Sequence, residues 1–391
     1  MKSLGIIVEY NPFHNGHSSH LANSKEINGC KKVVAIMSGN FVQRGEPAIC
    51  DKWQRTKMAL QAGIDLVIEL PLYYATSSAG YFAKGAVTLL DKLGFIDCMC
   101  FGSEWANIDT LKECAQAISK EDEDFKNNIY KYLKLGLSYP AARAKAIESF
   151  LPNLYGFPDA PNNILGIEYI KALLELNSNI EPTTVLRSPG SAKDIRADIK
   201  KEKNALSNMP SYSWDILKDS LSIYGAADID YLSPILQYIL KTGSAKEIQS
   251  FVDVSEVLAN RIIKCAKNNG LISEILLAAK NKSYTYLRLR RAVLHIILGI
   301  THDNLLAYES AGGPQYIRVL GFRKESADIL KLLEKRAMLP VITNLKNIKD
   351  ANLSPLAVQM LEEELNSTKL YSMAFSKHVN FNEHVMPLVI V

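Results

Sequence analysis

The sequence predicts an α/β fold, with a parallel sheet in its N-terminal half and a mainly α-helical C-terminal region. Short apolar runs of strand length alternate with helix-like segments as far as about residue 200. Strands that alternate with helices form βαβ units, and such strands pair in parallel. Parallel sheets are covered by helices on both faces, which agrees with the continuous Val, Ile and Leu content of these runs.

The predicted elements follow one another in the order that a Rossmann-like domain requires. The apolar runs that predict strands are residues 4–8, 32–37, 66–70, 98–101 and 183–186. The segments predicted as helices are residues 17–25, 51–62, 78–93 and 162–176, with residues 110–150 mostly helical. A further helix begins near Ser191, whose hydroxyl can cap it.

The character of the chain changes near residue 200. A charged stretch, residues 200–203, precedes helix-like sequence that is interrupted by prolines. At roughly 100–200 residues per domain, a chain of this length predicts two domains. We place them at residues 1–200 and 201–391.

Composition excludes several classes of protein. The 45 basic and 41 acidic residues nearly balance, so any surface for nucleic acid must be local. No apolar stretch is long enough for a membrane helix or a signal peptide, which predicts a cytoplasmic protein with no membrane association. The six cysteines form no C-x-x-C pair, so we expect free thiols rather than disulfides or a structural zinc site.

Residues 11–17, Asn-Pro-Phe-His-Asn-Gly-His, follow the first strand and open a helix. Ligands bind beyond the carboxyl ends of parallel strands, and the free N–H groups of a helix start suit phosphate. Gly16 allows a close approach of the backbone, while His14 and His17 lie one turn apart and can donate N–H to phosphate. Protonation of these histidines would add positive charge. A solvated helix face or a chance metal pair would give the same spacing, and we interpret His20 as a surface or packing residue.

A second helix start, residues 191–196, follows the last predicted strand. The Ser191 hydroxyl and nearby amides can hold the distal phosphates of a nucleotide. Lys193 and Arg196 can offset the charge of a leaving pyrophosphate. Alone, this segment is also consistent with an ordinary capped helix that carries surface cations. Together, the two segments form a clamp for a triphosphate.

The two segments resemble the HxGH and SSTxxR-type motifs of the nucleotidyltransferase superfamily, which includes the class I aminoacyl-tRNA synthetases. The resemblance extends to the bacterial tRNA(Met) cytidine acetate ligase family. The matching segments are residues 5–17, 37–48, 65–71, 101–104 and 161–166, with residues 284–291 and 316–322 in the C-terminal part. The resemblance therefore covers nearly the whole chain.

This resemblance implies a specific reaction. Enzymes of this family activate acetate with ATP to give acetyl-adenylate and pyrophosphate. The acetyl group then passes to the wobble cytidine of elongator tRNA(Met), giving N4-acetylcytidine and AMP. The implied partners are acetate and this tRNA, with no stable protein partner. Mg²⁺ is expected to bridge the phosphates without metal ligands from the protein.

The resemblance also implies the site. The catalytic residues are expected to be His14, His17 and Arg196. Residues expected to contact ATP are Ile7, Val8, Glu9, Tyr10, Asn11, Pro12, Phe13, His14, Asn15, Gly16, His17, Ser18, Ser19, His20, Gly102, Asn162, Arg187, Ser188 and Ser191. Two positions depart from the family pattern. Ser188 replaces a residue that is usually apolar, and Lys193 replaces a small hydroxyl residue.

Loops after other strands carry further candidates. Residues 38–40, together with Arg44 and the segment 51–55, are interpreted either as the entrance for acetate or RNA, or as a helix cap with solvated cations. Glu69 and Glu104 end strands and are candidates to orient a sugar or water.

The segment 284–291 interleaves tyrosines with Arg288, Arg290 and Arg291. Cations between aromatic rings suit RNA backbone contact and base stacking, so we predict RNA binding there. The alternative is an amphipathic helix that packs on the first domain.

Two other functions stay open on the residues alone. One is an adenylyltransferase that acts on a small-molecule acceptor. The other is an RNA-binding protein that has lost catalysis, which the retained His14, Gly16, His17 and Arg196 disfavour.

Overall fold

The computed structural model describes residues 2–119, 123–137, 139–151, 160–188, 190–201, 203, 205–377 and 379–391. Its strands are β1 (Ser3–Val8), β2 (Lys32–Ser38), β3 (Phe41–Val42), β4 (Glu46–Pro47), β5 (Leu66–Leu70), β6 (Cys98–Ser103), β7 (Glu181–Leu186), β8 (Ile317–Phe322), β9 (Val341–Ile342) and β10 (Val389–Ile390). The first nine helices are α1 (Asn15–Asn28), α2 (Lys52–Gln61), α3 (Leu72–Ala75), α4 (Ala79–Lys92), α5 (Ile108–Ser119), α6 (Glu123–Lys134), α7 (Tyr139–Phe150), α8 (Pro161–Glu175) and α9 (Ala192–Lys200). The others are α10 (Ser211–Tyr224), α11 (Ser233–Thr242), α12 (Ala245–Ile248), α13 (Glu256–Ala266), α14 (Ile272–Ala279), α15 (Tyr286–Leu298), α16 (His302–Ser310), α17 (Asp328–Arg336) and α18 (Pro355–Tyr371).

The central sheet has the strand order β10-β8-β5-β2-β1-β6-β7, and β9 pairs with β8. The five strands predicted from the sequence, β1, β2, β5, β6 and β7, are all parallel to one another. The predicted α/β fold is therefore confirmed. Because these strands are parallel, their carboxyl ends lie along one edge of the sheet, where the loops that follow β1, β6 and β7 meet.

Apolar layers cover both faces of the sheet. Along β2, Val33 and Ala35 belong to one apolar cluster and Val34 and Ile36 to the other. All four are fully buried. Alternation of this kind follows from the two-residue period of a strand, and burial on both faces explains why the strand sequences are apolar throughout.

The predicted helices in the N-terminal half are present. Helix α1 begins at Asn15, two residues earlier than the apolar spacing indicated. Asp51 caps α2, since its carboxylate accepts from the N–H groups of Trp53 and Gln54 at 3.0 and 2.9 Å. The Ser191 hydroxyl caps α9 in the predicted way and accepts from the Asp194 N–H at 3.2 Å. Residues that suit a helix start thus decide where these helices begin.

The C-terminal half is mainly helical but also extends the sheet. Strand β8 pairs antiparallel with β5, and β10 pairs with β8. The sequence analysis did not identify β8, because a short apolar run gives no periodicity that separates a strand from a buried helix. The sheet therefore continues beyond residue 200, and the division into residues 1–200 and 201–391 stays a prediction.

All six cysteines are free thiols, and Cys265 is the one that is only half-buried. In the described part of the chain, no helix has both the length and the apolar character needed to cross a membrane.

Candidate active site

A cavity of about 280 Å³ opens at the carboxyl edge of the sheet, where β1, β6 and β7 end and α1 and α9 begin. Many residues predicted to contact ATP line it together. They are Ile7, Val8, Glu9, Tyr10, Asn11, His14, Gly16, His17, His20, Gly102, Asn162, Arg187, Ser188, Ser191 and the predicted catalytic residue Arg196. The fold thus joins the two segments that the sequence analysis interpreted as one clamp.

Five residues of the predicted ATP stretch do not line the cavity: Pro12, Phe13, Asn15, Ser18 and Ser19. Phe13 is fully buried, and its ring packs 4.7 Å from that of Tyr10. The Asn15 side chain donates to the Ser207 carbonyl at 3.1 Å, and the Ser19 hydroxyl donates to the Asn15 carbonyl at 3.2 Å. Asn15, Ser18 and Ser19 lie away from the cavity because helix α1 presents only part of its surface to one side.

His14 and His17 form a stacked pair at the start of α1. Their ring centroids lie 3.7 Å apart. The His14 backbone N–H donates to His17 Nδ1 at 3.2 Å. Because Nδ1 accepts this bond, a neutral His17 carries its proton on Nε2 and can donate it to a ligand.

Tyr10, which precedes this pair, has a left-handed backbone with φ of 49°. Such conformations often occur at ligand sites.

The cavity histidines are neutral in the free protein. Burial and the nearby Arg187 lower the pKa of His14 to about 4. Burial alone lowers the pKa of His20 to about 4. Burial, together with the neighbouring histidines, lowers the pKa of His17 well below its usual value. The sequence analysis noted that protonation of His14 and His17 would add positive charge, and the lowered pKa values mean that this charge is absent at neutral pH in the free protein.

Four buried polar atoms around the cavity have no hydrogen-bond partner among the described residues. They are Tyr10 Oη, Asn11 Nδ2, His14 Nδ1 and His20 Nε2. Buried polar atoms are normally bonded, so a group of unbonded atoms on one cavity wall indicates a polar ligand.

Cations surround the cavity. Arg44, Arg187 and Lys193 line it and are exposed, and their side chains make no ion pair or hydrogen bond within the described chain. Arg196 is held more firmly, since it donates to the Asn11 carbonyl at 2.7 Å and to Glu46 Oε1 at 2.8 Å. Three unpaired cations and one oriented guanidinium suit a ligand with several negative charges.

Glu104 has a structural partner rather than a free carboxylate. It accepts from the side chain of Asn162 at 2.7 Å and from the backbone N–H of Asn163 at 3.0 Å. The carboxylate therefore caps α8 and does not line the cavity. The suggestion that Glu104 orients a sugar or water is not supported by this geometry. Its effect on the site is indirect, through the position of Asn162.

The segments after β2 that were interpreted as an entrance for acetate or RNA contribute only some of their residues to the cavity wall. Gln43 and Arg44, in the β3–β4 hairpin, line it. Lys52 instead lies within a buried charge cluster, which we define as Lys52, Glu69, Glu364, Glu383 and Arg318. Lys52 Nζ lies 2.6 Å from Glu69 Oε1 and 2.7 Å from Glu383 Oε1. The structure therefore corrects the interpretation of Lys52 and Glu69 as ligand-facing residues.

Residues 286–291 of the predicted RNA segment form the first turns of α15, and two of its three arginines have partners in the protein. Arg290 pairs with Glu46, and Arg291 Nε lies 3.0 Å from Asp253 Oδ2. Arg288 packs over the ring of Tyr284 at 5.2 Å, with no carboxylate partner among the described residues. The helix is thus also amphipathic and packs on the N-terminal half, as the alternative interpretation proposed.

Some cavity residues were not recognised in the sequence. Apolar and aromatic members of the wall are Phe82, Phe101, Leu165, Tyr169 and Ala192. Their residue types are those of any buried core, so no sequence signal distinguishes them. Within the described residues, no group of three or more His, Cys, Asp or Glu side chains could hold a metal ion.

Comparison with known proteins agrees with this geometry. Residues 1–384 match the family model described as HIGH Nucleotidyl Transferase. The chain is 40% identical over 398 aligned positions to the tRNA(Met) cytidine acetate ligase of Acetivibrio thermocellus, covering 96% of this chain and 95% of the relative. It is 37% identical to the protein of the same name from Clostridium perfringens, with both chains fully covered.

A solved structure described as Thermotoga maritima TmcAL bound with alpha-thio ATP superposes on the chain with a TM-score of 0.94. The two chains are 31% identical, and the superposition covers 100% of this chain and 99% of the other. Full-length similarity in sequence and structure, together with the histidine pair at the start of α1, shows that the chain belongs to the tRNA(Met) cytidine acetate ligase family of HIGH nucleotidyltransferases.

Proposed function

We propose that this protein activates acetate with ATP and transfers the acetyl group to the wobble cytidine of elongator tRNA(Met), forming N4-acetylcytidine, AMP and pyrophosphate. The observation that carries the proposal is full-length similarity to relatives named tRNA(Met) cytidine acetate ligase. In addition, the cavity holds the histidines and cations that adenylate formation needs.

Adenylate formation is mainly a problem of positioning and charge. Acetate is a poor acyl donor because its leaving group would be oxide, and the mixed anhydride with AMP supplies a better one. The protein must hold a carboxylate oxygen in line with the α-phosphate and stabilise the charge of pyrophosphate. Solvent-facing Arg187 and Lys193, near the start of α9, support a role at the pyrophosphate.

The histidine pair supports contact with the phosphates nearer the adenosine. His17 has its Nε2 proton free to donate, and His14 Nδ1 has no partner within the described residues. Both lie at the N-terminus of α1, where the helix dipole also favours negative charge. Arg196, oriented by Asn11 and Glu46, is proposed to complete this set.

We propose that Mg²⁺ accompanies ATP and is held by phosphate oxygens and water. When bound, such an ion neutralises phosphate charge. Mg²⁺ keeps several water ligands, so a dedicated protein cage is not needed. The cavity fits this arrangement because its wall is rich in cations and histidines rather than carboxylates.

The tRNA is proposed to contact the protein through Arg288 more than through Arg290 or Arg291. The latter two are occupied by Glu46 and Asp253, whereas Arg288 has an aromatic neighbour and no described acidic partner. Because the proposed substrate is a tRNA, the activity is also proposed to take place in the cytoplasm.

The test measures AMP formation by purified protein with ATP and magnesium, with and without acetate, and then the transfer of labelled acetate to bacterial tRNA. We expect acetate-dependent AMP and labelled tRNA. His14→Ala and His17→Ala should each lower both signals by roughly 100-fold or more, since both remove donors to developing charge.

The matched control is His384→Ala, because His384 is exposed and lies outside the cavity. It should behave like the wild-type protein. ATP turnover without acetate dependence, accompanied by adenylylation of a small molecule, would instead favour an adenylyltransferase. RNA binding without turnover would favour a protein that has lost catalysis.

A further inference from the structure

Glu46 is held between two arginines that come from distant parts of the chain. It lies in β4, and its side chain is half-buried. Its Oε1 accepts a hydrogen bond from Arg196 of α9 at 2.8 Å, and its Oε2 accepts one from Arg290 of α15. Arg196 lines the cavity, whereas Glu46 does not. The carboxylate can therefore act on a ligand in the cavity only through Arg196.

The β3–β4 hairpin that carries Glu46 packs closely against α15. Val42 pairs with Glu46 across the hairpin, and Gly45 at its turn has a left-handed backbone with φ of 71°. A Cβ atom at Gly45 would lie 2.6 Å from the Arg291 backbone nitrogen and 2.7 Å from the Arg290 carbonyl carbon. Because glycine has no Cβ, the turn can approach the helix backbone this closely. The contact places Arg290 beside Glu46.

Arg196 differs from the three exposed cations of the cavity in being anchored at two points. Its Nη1 donates to the Asn11 carbonyl at 2.7 Å, and its Nη2 donates to Glu46 at 2.8 Å. A guanidinium has more N–H groups than these two bonds use, so donors remain for a ligand. Burial lowers the pKa of Arg196, and the negative charge of Glu46 opposes this shift. Glu46 therefore both orients the guanidinium and favours its charged form.

A second ion pair on α15 shows what a pair that only packs this helix looks like. Arg291 Nε lies 3.0 Å from Asp253 Oδ2. These two side chains are 17% and 20% exposed, close to the 16% of both Arg290 and Glu46. Neither Arg291 nor Asp253 lines the cavity or contacts Arg196. The two pairs share the helix and the degree of burial, and they differ in the link to the cavity.

We propose that Glu46 and Arg290 are positioning residues for the activation of acetate, with Arg290 holding Glu46 and Glu46 holding Arg196 against the phosphates. This inference rests on the proposed function, and it assigns Arg290 to a step that needs no tRNA. In that step an acetate oxygen attacks the α-phosphorus of ATP. The bond to the bridging oxygen breaks, and the electron pair leaves with pyrophosphate. A guanidinium that is already oriented stabilises this departing charge without reorganisation.

The experiment measures acetate-dependent exchange of labelled pyrophosphate into ATP, which requires no tRNA. A displacement of about 1 Å in a positioned group can cost about 100-fold, so Glu46→Gln should lower kcat roughly 10–100-fold. The KM for ATP should change less, since the lost interaction forms mainly in the transition state. Arg290→Met should lower kcat several-fold, because Glu46 keeps its bond to Arg196. Arg290→Lys, which retains a cation, should recover part of the rate.

Two comparisons separate positioning from packing. In a protein that already carries Arg196→Ala, Glu46→Gln should cause little further loss of exchange, because Glu46 acts through Arg196. Asp253→Asn removes the matched ion pair of α15, and asparagine tolerates the left-handed backbone at this position, where φ is 65°. This control should leave exchange unchanged, even where urea unfolding shows a lower free energy of unfolding.

Four results would overturn the inference. Unchanged exchange in Glu46→Gln would exclude the role altogether. Equal losses from Glu46→Gln with and without Arg196, or an equal loss in Asp253→Asn, would assign Glu46 to packing. Unchanged exchange in Arg290→Met together with weaker binding of bacterial tRNA would return Arg290 to RNA contact. A wild-type protein without acetate-dependent exchange would contradict the proposed function itself, and the inference with it.

Discussion

Two groups of charged residues near the same edge of the sheet differ in exposure and in ion pairing. At the cavity, Arg44, Arg187 and Lys193 are exposed and have no acidic partner in the described chain. In the buried charge cluster, Lys52 and Arg318 are enclosed and each contacts two carboxylates. In the sequence, both groups include cations that follow a predicted strand, so residue type and position alone do not separate them.

The difference comes from what covers the strand ends. Helix α18 and the segment around Glu383 lie over the loops that follow β2 and β5. Glu364 of α18 accepts from the Leu72 N–H at 2.7 Å, and Thr368 accepts from the Asn40 side chain at 3.0 Å. At β1, β6 and β7 the ends border the cavity instead. A cation is available to a ligand only where the fold leaves it without a protein partner.

The pKa values of the carboxyl groups in the buried charge cluster also show that its charges are satisfied within the protein. Although burial opposes it, Lys52 and Arg318 lower the pKa of Glu383 to about 2. Burial and the neighbouring Glu69 raise the pKa of Glu364 well above its usual value. One carboxyl of the cluster is therefore neutral while another is firmly ionised, as expected where three carboxyl groups share two cations in a dry environment.

The largest expected effect tests the buried cluster. Lys52→Met removes a fully buried cation and leaves Glu69 and Glu383 short of a partner. Breaking a buried ion pair by removing one partner typically costs about 3–5 kcal/mol, so we expect a loss of this size in urea unfolding. Lys57→Met, on the exposed face of the same helix, should stay within about 0.5 kcal/mol of wild type. Similar values for the two variants would mean that the cluster contributes no more than a surface charge does.

The second prediction concerns pH and the cavity histidines. The pKa of His14 falls from its ordinary 6.5 to about 4 in the folded protein. Between these values the unfolded chain binds a proton that the folded protein does not, so acidification favours unfolding in this interval. Above pH 6.5 and below pH 4 this contribution no longer changes. We expect the free energy of unfolding to fall from pH 6.5 to 4, by roughly 2–3 kcal/mol at most for this histidine.

Urea unfolding of the ligand-free protein at several pH values measures this. His14→Gln should show a shallower fall than wild type, although His20 and His17 still contribute. His384→Gln changes an exposed histidine and serves as the control. Equal slopes in all three proteins would mean that His14 titrates normally in the fold.

The smallest expected effect tests the cavity cations. Arg187→Ala removes an exposed guanidinium that has no carboxylate partner among the described residues, so the free energy of unfolding should not change. If Arg187 contacts phosphate, the loss of one charge-assisted bond costs about 1.5–3 kcal/mol, and ATP should bind roughly 10–100-fold more weakly by calorimetry. Unchanged ATP affinity together with lower stability would assign Arg187 to the structural group instead.

Much of the site could be predicted from short segments. The strand–loop–helix pattern around His14, Gly16 and His17 predicted that these residues face a ligand site at the sheet edge, and all three line the cavity because chain neighbours build that part of it. Ser191 was predicted as a helix cap for the same reason. The pairing of Arg290 with Glu46 and of Lys52 with Glu383 could not be predicted, because each of these two contacts joins residues more than 200 positions apart in the chain.

The sequence by itself determined the parallel strands, the helix starts and the strand–loop–helix segment around His14 and His17, since apolar periodicity, caps and turn residues act over a few neighbours. Only the tertiary structure decided that β8 completes the sheet and that Lys52 and Glu69 are buried while Arg187 and Lys193 remain exposed. It also joined Glu46 to both Arg196 and Arg290. The physical reason is that burial and pairing depend on which distant segments pack together, and the residue type of a charged side chain does not encode its partner.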